Sequence, residues 1–268
     1  RSLEIAASHR MDHVGARLEA IYEESIAEAM DFRRAMRKVE DEWGGDWWFR
    51  VWGPGTIPED GIGSREDWLL DPADAWHGFP DVSPGFNMLD PIKATVITPG
   101  LGMDGTFGDA GIPAAIVTRY LAEHGVIVEK AGLYSFFIMF TIGITKGRWN
   151  TLVSALQQFK DDHDRNLPVW KAVPEFARAH PRYESMGLKD LCQGVHETYR
   201  ALDVARVTTD MYGAPLERAM IASEAWDRVA RGEIERVPIE AVPGRVTAVL
   251  LTPYPPGIPL LIPGERFN

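Results

Sequence analysis

The sequence predicts a mixed α/β (α+β) fold in two parts, and three observations carry that expectation. Between Glu23 and Trp43, apolar residues recur at spacings of three and four, the period of a helix packed along one face. From Pro91 onward, β-branched runs alternate with helical patterns in the order β-α-β-β-α, which suggests a small sheet covered by helices, part of it antiparallel. After the polar break Asp161-Asp162-His163-Asp164-Arg165-Asn166, short helical patterns give way to strand-like segments and a proline-rich tail.

In chain order, the first helix spans Glu23 to Trp43 and stops at Gly44-Gly45. Trp47 to Trp52 is too aromatic for a loop and reads as a strand. Gly53 to Asp67, with four glycines and two prolines, reads as an exposed loop. Lys93 to Thr98 is a strand. Gly111-Ile112-Pro113 opens a helix that reaches His124 and is capped by Gly125. Val126 to Glu129 is expected to be a short buried strand and Phe136 to Ile142 another, followed by a helix from Gly147 to Lys160. A domain boundary is expected at the polar break, which ends at Pro168. Beyond it lie helices near Trp170 to Ala179, Leu188 to Leu202 and Leu216 to Arg231, then strand-like segments near Arg236 to Glu240 and Arg245 to Leu251. The tail Thr252 to Gly264 holds five prolines and cannot form a regular element.

The 268 residues carry 28 basic and 39 acidic side chains, a net charge of −11. That balance argues against nucleic-acid binding, which needs cations to displace counterions, and against a polybasic membrane-surface role. The longest near-apolar run, Ala131 to Gly143, is too short to span a bilayer. A single cysteine, Cys192, excludes an intrachain disulfide and a cysteine-rich zinc site, and a cytoplasmic location is the plain reading. The chain opens without Met inside a helical pattern, so a piece of a longer protein is expected.

Several residues invite a chemical role. Gly100-Leu101-Gly102-Met103-Asp104-Gly105 matches G-x-G-x-x-G after a strand, with Glu129 as a downstream acid. A phosphate cradle needs a helix to begin inside the motif. Here the helix begins several residues late, and Asp104 and Asp109 add negative charge, so a glycine-rich turn is the better account. His9 and His13 have the i, i+4 spacing of a metal pair, but Arg10 stands where a metalloprotease motif has Glu. His163 among three aspartates reads as a solvated helix end. Cys192 and His196 share a helix face and read as core packing rather than a nucleophile–base pair. No metal site is expected. Glu129 is the residue singled out. A carboxylate ending an apolar strand needs a cation, either Lys130 or a nearby Arg, or else a cationic ligand in a pocket.

Five stretches together resemble the bacterial lysine/ornithine/arginine decarboxylases, enzymes of the pyridoxal phosphate (PLP)-dependent fold-type-I class. They are Ala75-Trp76-His77-Gly78-Phe79, Leu89-Asp90-Pro91-Ile92-Lys93, Gly111-Ile112-Pro113-Ala114-Ala115, Glu123 to Lys130 (EHGVIVEK), and Pro253 to Pro259 running on to Pro263-Gly264-Glu265. They cover essentially the whole chain in order.

The resemblance implies an architecture: residues 1–20 as the closing helix of a large PLP domain, 21–165 as the small domain of the aminotransferase-like fold, and 166–268 as a truncated α+β C-terminal domain. It implies decarboxylation of a basic amino acid, lysine first, then ornithine or arginine, by homodimers that assemble further. It places the Schiff-base lysine and the PLP site upstream, so no catalytic residue and no activity are expected of this chain alone. In Ser8-His9-Arg10, arginine occupies the place a cofactor lysine would take, and a guanidinium forms no working Schiff base. The resemblance assigns Glu129 to the substrate's distal amine. It leaves Glu265 between a place near the active-site entrance and a structural salt bridge. Pro168 and Gly187 stand where arginines would bind a guanosine alarmone. The alternatives are a nucleotide-binding oxidoreductase using the Gly100–Gly105 loop, or a non-catalytic assembly module.

Overall fold

The computed structural model describes residues 12–253 and 258–268, with side chains from residue 19. The Ser8-His9-Arg10 triplet, the His9/His13 pair and part of the proline tail therefore lie outside the described residues. The chain divides into two compact units, Arg1–Leu202 and Asp203–Asn268.

The first unit begins with helix α1, Asp12–Trp43. Ala29, Phe32, Met36 and Val39 are buried at spacings of three, four and three, so the predicted stripe is the packed face. Gly44, at φ +58°, lets the chain leave the helix. Strand β1 is Arg50–Val51, shorter than the Trp47 to Trp52 run suggested. Trp47 and Phe49 are core side chains, and the Trp47 amide turns back to the Gly44 carbonyl instead of joining a ladder.

Strand β2, Lys93–Ile97, pairs with β1 and with β4, Ser135–Met139. Strand β3, Lys130–Ala131, closes the other edge against β4. The order is β1-β2-β4-β3 and every pairing is antiparallel, so the expectation of an only partly antiparallel sheet is corrected. Alternation places Ala94 and Val96 of β2 in the core. Helix α2, Ala114–Glu123, starts just after Pro113, whose missing N–H costs nothing there.

Val126 to Glu129 is not the buried strand expected. Val126 and Val128 are half-buried, while Ile127 and Glu129 face solvent. Only the Glu129 amide reaches the sheet, donating to the Phe137 carbonyl at 2.9 Å.

Helix α3, Lys146–Asp164, runs on through the sequence that looked like a polar linker. Asp162 is buried because the Tyr120 hydroxyl and the Gln158 amide donate to its carboxylate at 2.8 and 2.9 Å. Helices α4 (Val169–Ala172), α5 (Pro174–Ala179) and α6 (Leu188–Ala201) follow, and Val169, Ala172, Leu188 and Leu191 join the same core as α3. The compact unit thus continues past the boundary expected at 165/166. Asn166, at φ +50°, turns the chain back rather than starting a linker. Its side-chain oxygen accepts from the Lys189 and Asp190 amides, capping α6 from a distance.

The second unit holds α7 (Val204–Gly213), β5 (Glu217–Arg218), α8 (Ala222–Ala230) and β6 (Glu265–Arg266), with β5 and β6 antiparallel. The strand-like stretches near Arg236 and Arg245 form a short 3-10 turn at Ile239–Ala241 and isolated bridges at Val246 and Leu251. Glu265 forms no salt bridge among the described residues; its carboxylate accepts the Ile262 amide at 2.9 Å.

Candidate functional site

Glu129 opens onto a pocket of about 510 Å³, within the ordinary range for small-molecule sites. Three elements build it. The turn after α2 supplies Val126, Ile127 and Glu129; the end of β4 supplies Ile138 and Phe140; the first turns of α3 supply Arg148, Trp149 and Leu152. Phe140, Trp149 and Leu152 are buried and form a fixed apolar floor, whereas the Ile127, Glu129 and Arg148 side chains stand at the solvent side. Among the described residues the Glu129 carboxylate makes no hydrogen bond and no ion pair. The salt bridge that would have explained it structurally is not formed.

The walls are held from behind. The Trp149 indole N–H donates to Glu28 Oε2 at 2.6 Å, and Phe32 meets both Phe140 and Trp149 ring to ring. Nothing in the sequence marks Glu28, or Arg148 and Trp149 of the arginine-branch-like stretch Lys146-Gly147-Arg148-Trp149, as parts of a pocket. The one available signal was Thr145 standing where a helix N-cap belongs, which marks the start of α3 but not a pocket.

None of the lysines fits a PLP linkage. Lys38, Lys93, Lys130, Lys146, Lys171 and Lys189 are exposed, and none of them lines the Glu129 pocket. Lys160 is buried, but its ammonium is bound to Asp164 at 2.6 Å and sits 4.2 Å from the Trp48 ring centre. Both contacts hold its amine inside the core, so it is not free to reach a cofactor carbonyl.

The glycine motif is a closed hairpin. Leu101 bridges Phe107, the Gly102 amide donates to Thr106 O, and Gly108 donates to Gly100 O. Asp104 fills the turn, accepting from the Thr106 amide and hydroxyl. The Gly102, Gly105, Thr106 and Gly108 amides are taken up within the loop and no helix begins there, so the motif lacks the helix N-terminus on which a phosphate cradle depends. The hairpin is pinned to α6 by His196. A carbonyl can only accept, so His196 Nε2–H donates to Gly108 O at 2.9 Å, and Nδ1 accepts from the Tyr134 hydroxyl at 2.6 Å. Both ring nitrogens are occupied, and burial pushes the Cys192 thiol up to about 12, so these two residues form no nucleophile–base pair.

His163 corrects the solvated-end reading. It is buried beside Trp48 and Phe159, and its Nδ1 has no hydrogen-bond partner. Pro168 and Gly187 bridge each other, and a side chain at Gly187 would collide with the Asn166 amide. No metal-binding cluster of His, Cys, Asp or Glu occurs among the described residues.

The family profile described as Orn/Lys/Arg decarboxylase, major domain, matches residues 1–148, and that described as Orn/Lys/Arg decarboxylase, C-terminal domain, matches residues 205–268. The chain belongs to the Orn/Lys/Arg decarboxylase family. Among curated relatives, lysine decarboxylase LdcA of Pseudomonas aeruginosa is 46% identical over all of this chain and 35% of its own length. The biodegradative arginine decarboxylase of Escherichia coli is 33% identical over 93% of this chain and 35% of its own. The solved structure of lysine decarboxylase A from Pseudomonas aeruginosa superposes with a TM-score of 0.85 at 48% identity, covering 92% of this chain and 33% of that one. The chain thus spans about a third of the length of the Orn/Lys/Arg decarboxylases it matches. The C-terminal domain match begins at residue 205, close to the start of the second compact unit.

Proposed function

We propose that this chain is part of a decarboxylase that converts a basic amino acid, lysine first and ornithine or arginine after it, to the corresponding amine and CO2, and that Glu129 receives the distal cation of the substrate. The observation carrying this reading is a carboxylate with no ion pair among the described residues, on a pocket whose floor is apolar and whose solvent side also holds Arg148. The apolar part of that lining suits the methylenes of a basic side chain, with the carboxylate left for the cation. The greater identity to a lysine decarboxylase than to an arginine decarboxylase supports placing lysine first. PLP is the cofactor the family implies. Since no lysine here suits it, the reading assigns it to segments outside this chain. Assembly as a homodimer and beyond, in the cytoplasm, belongs to the same proposal.

The test is Glu129→Gln in the enzyme that contains this chain. Losing one partner of a charge pair on the solvent side of a pocket costs up to about 1 kcal/mol, so KM for lysine should rise about two- to fivefold. An unchanged KM refutes the assignment. The isolated chain, supplied with PLP and lysine, should release no CO2; release would overturn the division of labour.

A further inference from the structure

We infer that Trp149, locked in place by Glu28, sets the length of basic side chain that the Glu129 pocket accepts. The inference rests on Glu129 being the substrate's cation site, and it assigns a specificity residue and a positioning residue to that site. Trp149 is 5% exposed, so its ring is a wall of the pocket and not a flap over it.

Two contacts from α1 fix that wall. Glu28 and Phe32 are four residues apart, hence on one helix face. Glu28 Oε2 accepts the indole N–H at 2.6 Å, a short bond made stronger by the carboxylate's charge. The Phe32 ring meets the indole edge-on, with centres 6.1 Å apart. An indole held at its polar end and on its ring cannot withdraw without breaking a charge-assisted bond. The apolar end of the space between wall and carboxylate is therefore set by the fold, not adjusted to the ligand. A ligand whose cation pairs with Glu129 must fit its methylenes into that space, and one methylene too many or too few is worth about tenfold or more in discrimination.

Trp149 also stands apart from the rest of the wall in its support. Ile138, Phe140 and Leu152 are held by packing alone, whereas Trp149 carries a hydrogen bond from a different element.

The experiment uses the full-length enzyme and reads kcat/KM for lysine, ornithine and arginine. Trp149→Leu should shift the arginine-to-lysine ratio about tenfold towards arginine, chiefly through KM. Glu28→Ala, which frees the indole, should move the ratio the same way by less. Glu28→Gln keeps an acceptor oxygen and should leave it within twofold of the parent. A ratio unchanged in Trp149→Leu, Trp149→Phe and Glu28→Ala, while Glu129→Gln still raises KM, overturns the gauge and leaves the cation site standing. If Glu129→Gln also leaves KM unchanged, both fall. Should Trp149→Leu fail to fold, Trp149→Phe and the two Glu28 variants decide the question.

Discussion

Arg33 is the least expected side chain in the core, and replacing it is a direct test of how the first unit is held together. It is 2% exposed, yet it carries a guanidinium on the apolar stripe of α1. Nε donates to Pro91 O at 3.3 Å, Nη1 to Trp52 O at 3.1 Å and Nη2 to Lys93 O at 2.8 Å, and the Trp68 ring lies 5.2 Å away. One side chain therefore ties the ends of β1 and β2 to α1.

Burial pulls its pKa down from 12.5 to about 10, with Asp90 opposing. At about 1.4 kcal/mol per pH unit, holding the charge inside costs about 3 kcal/mol. Three hydrogen bonds from a charged donor contribute about 1.5–3 kcal/mol each. The balance favours the parent by about 1.5–6 kcal/mol over Arg33→Met, which fills the space but leaves three carbonyls unmet. Arg33→Lys should recover little, because one ammonium cannot reproduce the spread of a fork.

The assay is urea unfolding followed by tryptophan fluorescence, since eight of the nine tryptophans precede residue 203 and so report on the first unit. A loss for Arg33→Met below about 1 kcal/mol, or full recovery by lysine, would refute the reasoning.

Two further predictions concern the junction of α3 and α6. Burial lowers the pKa of His163 below its ordinary 6.5, against the pull of Asp164 and with Lys189 and Lys160 adding to the shift. The unfolded chain then takes up a proton near pH 6.5 that the folded chain refuses, so stability should fall as pH drops below that value and be constant above it. His163→Phe should flatten the slope of unfolding free energy between pH 7 and 5; an unaltered slope would assign it to other groups. At Gly187, a methyl group would displace the Asn166 amide that caps α6, so Gly187→Ala should cost about 1–3 kcal/mol. In an Asn166→Ala background the same change should cost much less, and simple additivity in this cycle would count against the collision.

The elements with strong periodicity were legible. The stripe of α1, strand β2 and the three helices α2, α3 and α6 lie close to where apolar spacing put them. What failed was the inference from polarity to exposure. Asp162, His163 and Arg33 are polar residues buried by partners remote in sequence: Tyr120 for the first, Trp48 for the second, three carbonyls for the third. No local window contains those partners. Arg33 nevertheless had a faint signal, because it falls four residues after Ala29 and three before Met36, on the packed stripe.

The site was half legible. Glu129 stood out because an acid at the end of an apolar run asks for an explanation. Its walls did not, because Phe140, Trp149 and Leu152 look like any core residues until the turn after α2 is folded against α3. The glycine motif misleads for the complementary reason: its pattern is visible, but the hydrogen bonds that close it on itself are not.

The four-stranded sheet has one further consequence. Its outer strands, β1 and β3, are each two residues long. A long bare edge is a template on which a second chain can add its own strand, and that is how sheet proteins aggregate. Here the longer strands, β2 and β4, are the inner ones, and each edge offers a foreign strand only a few main-chain groups to grasp. Growth of the sheet from chain to chain is therefore checked at both sides by brevity, and each edge strand also carries an exposed charge, Arg50 or Lys130. Surfaces for self-association are left to side chains, which can discriminate between partners as an exposed ladder cannot.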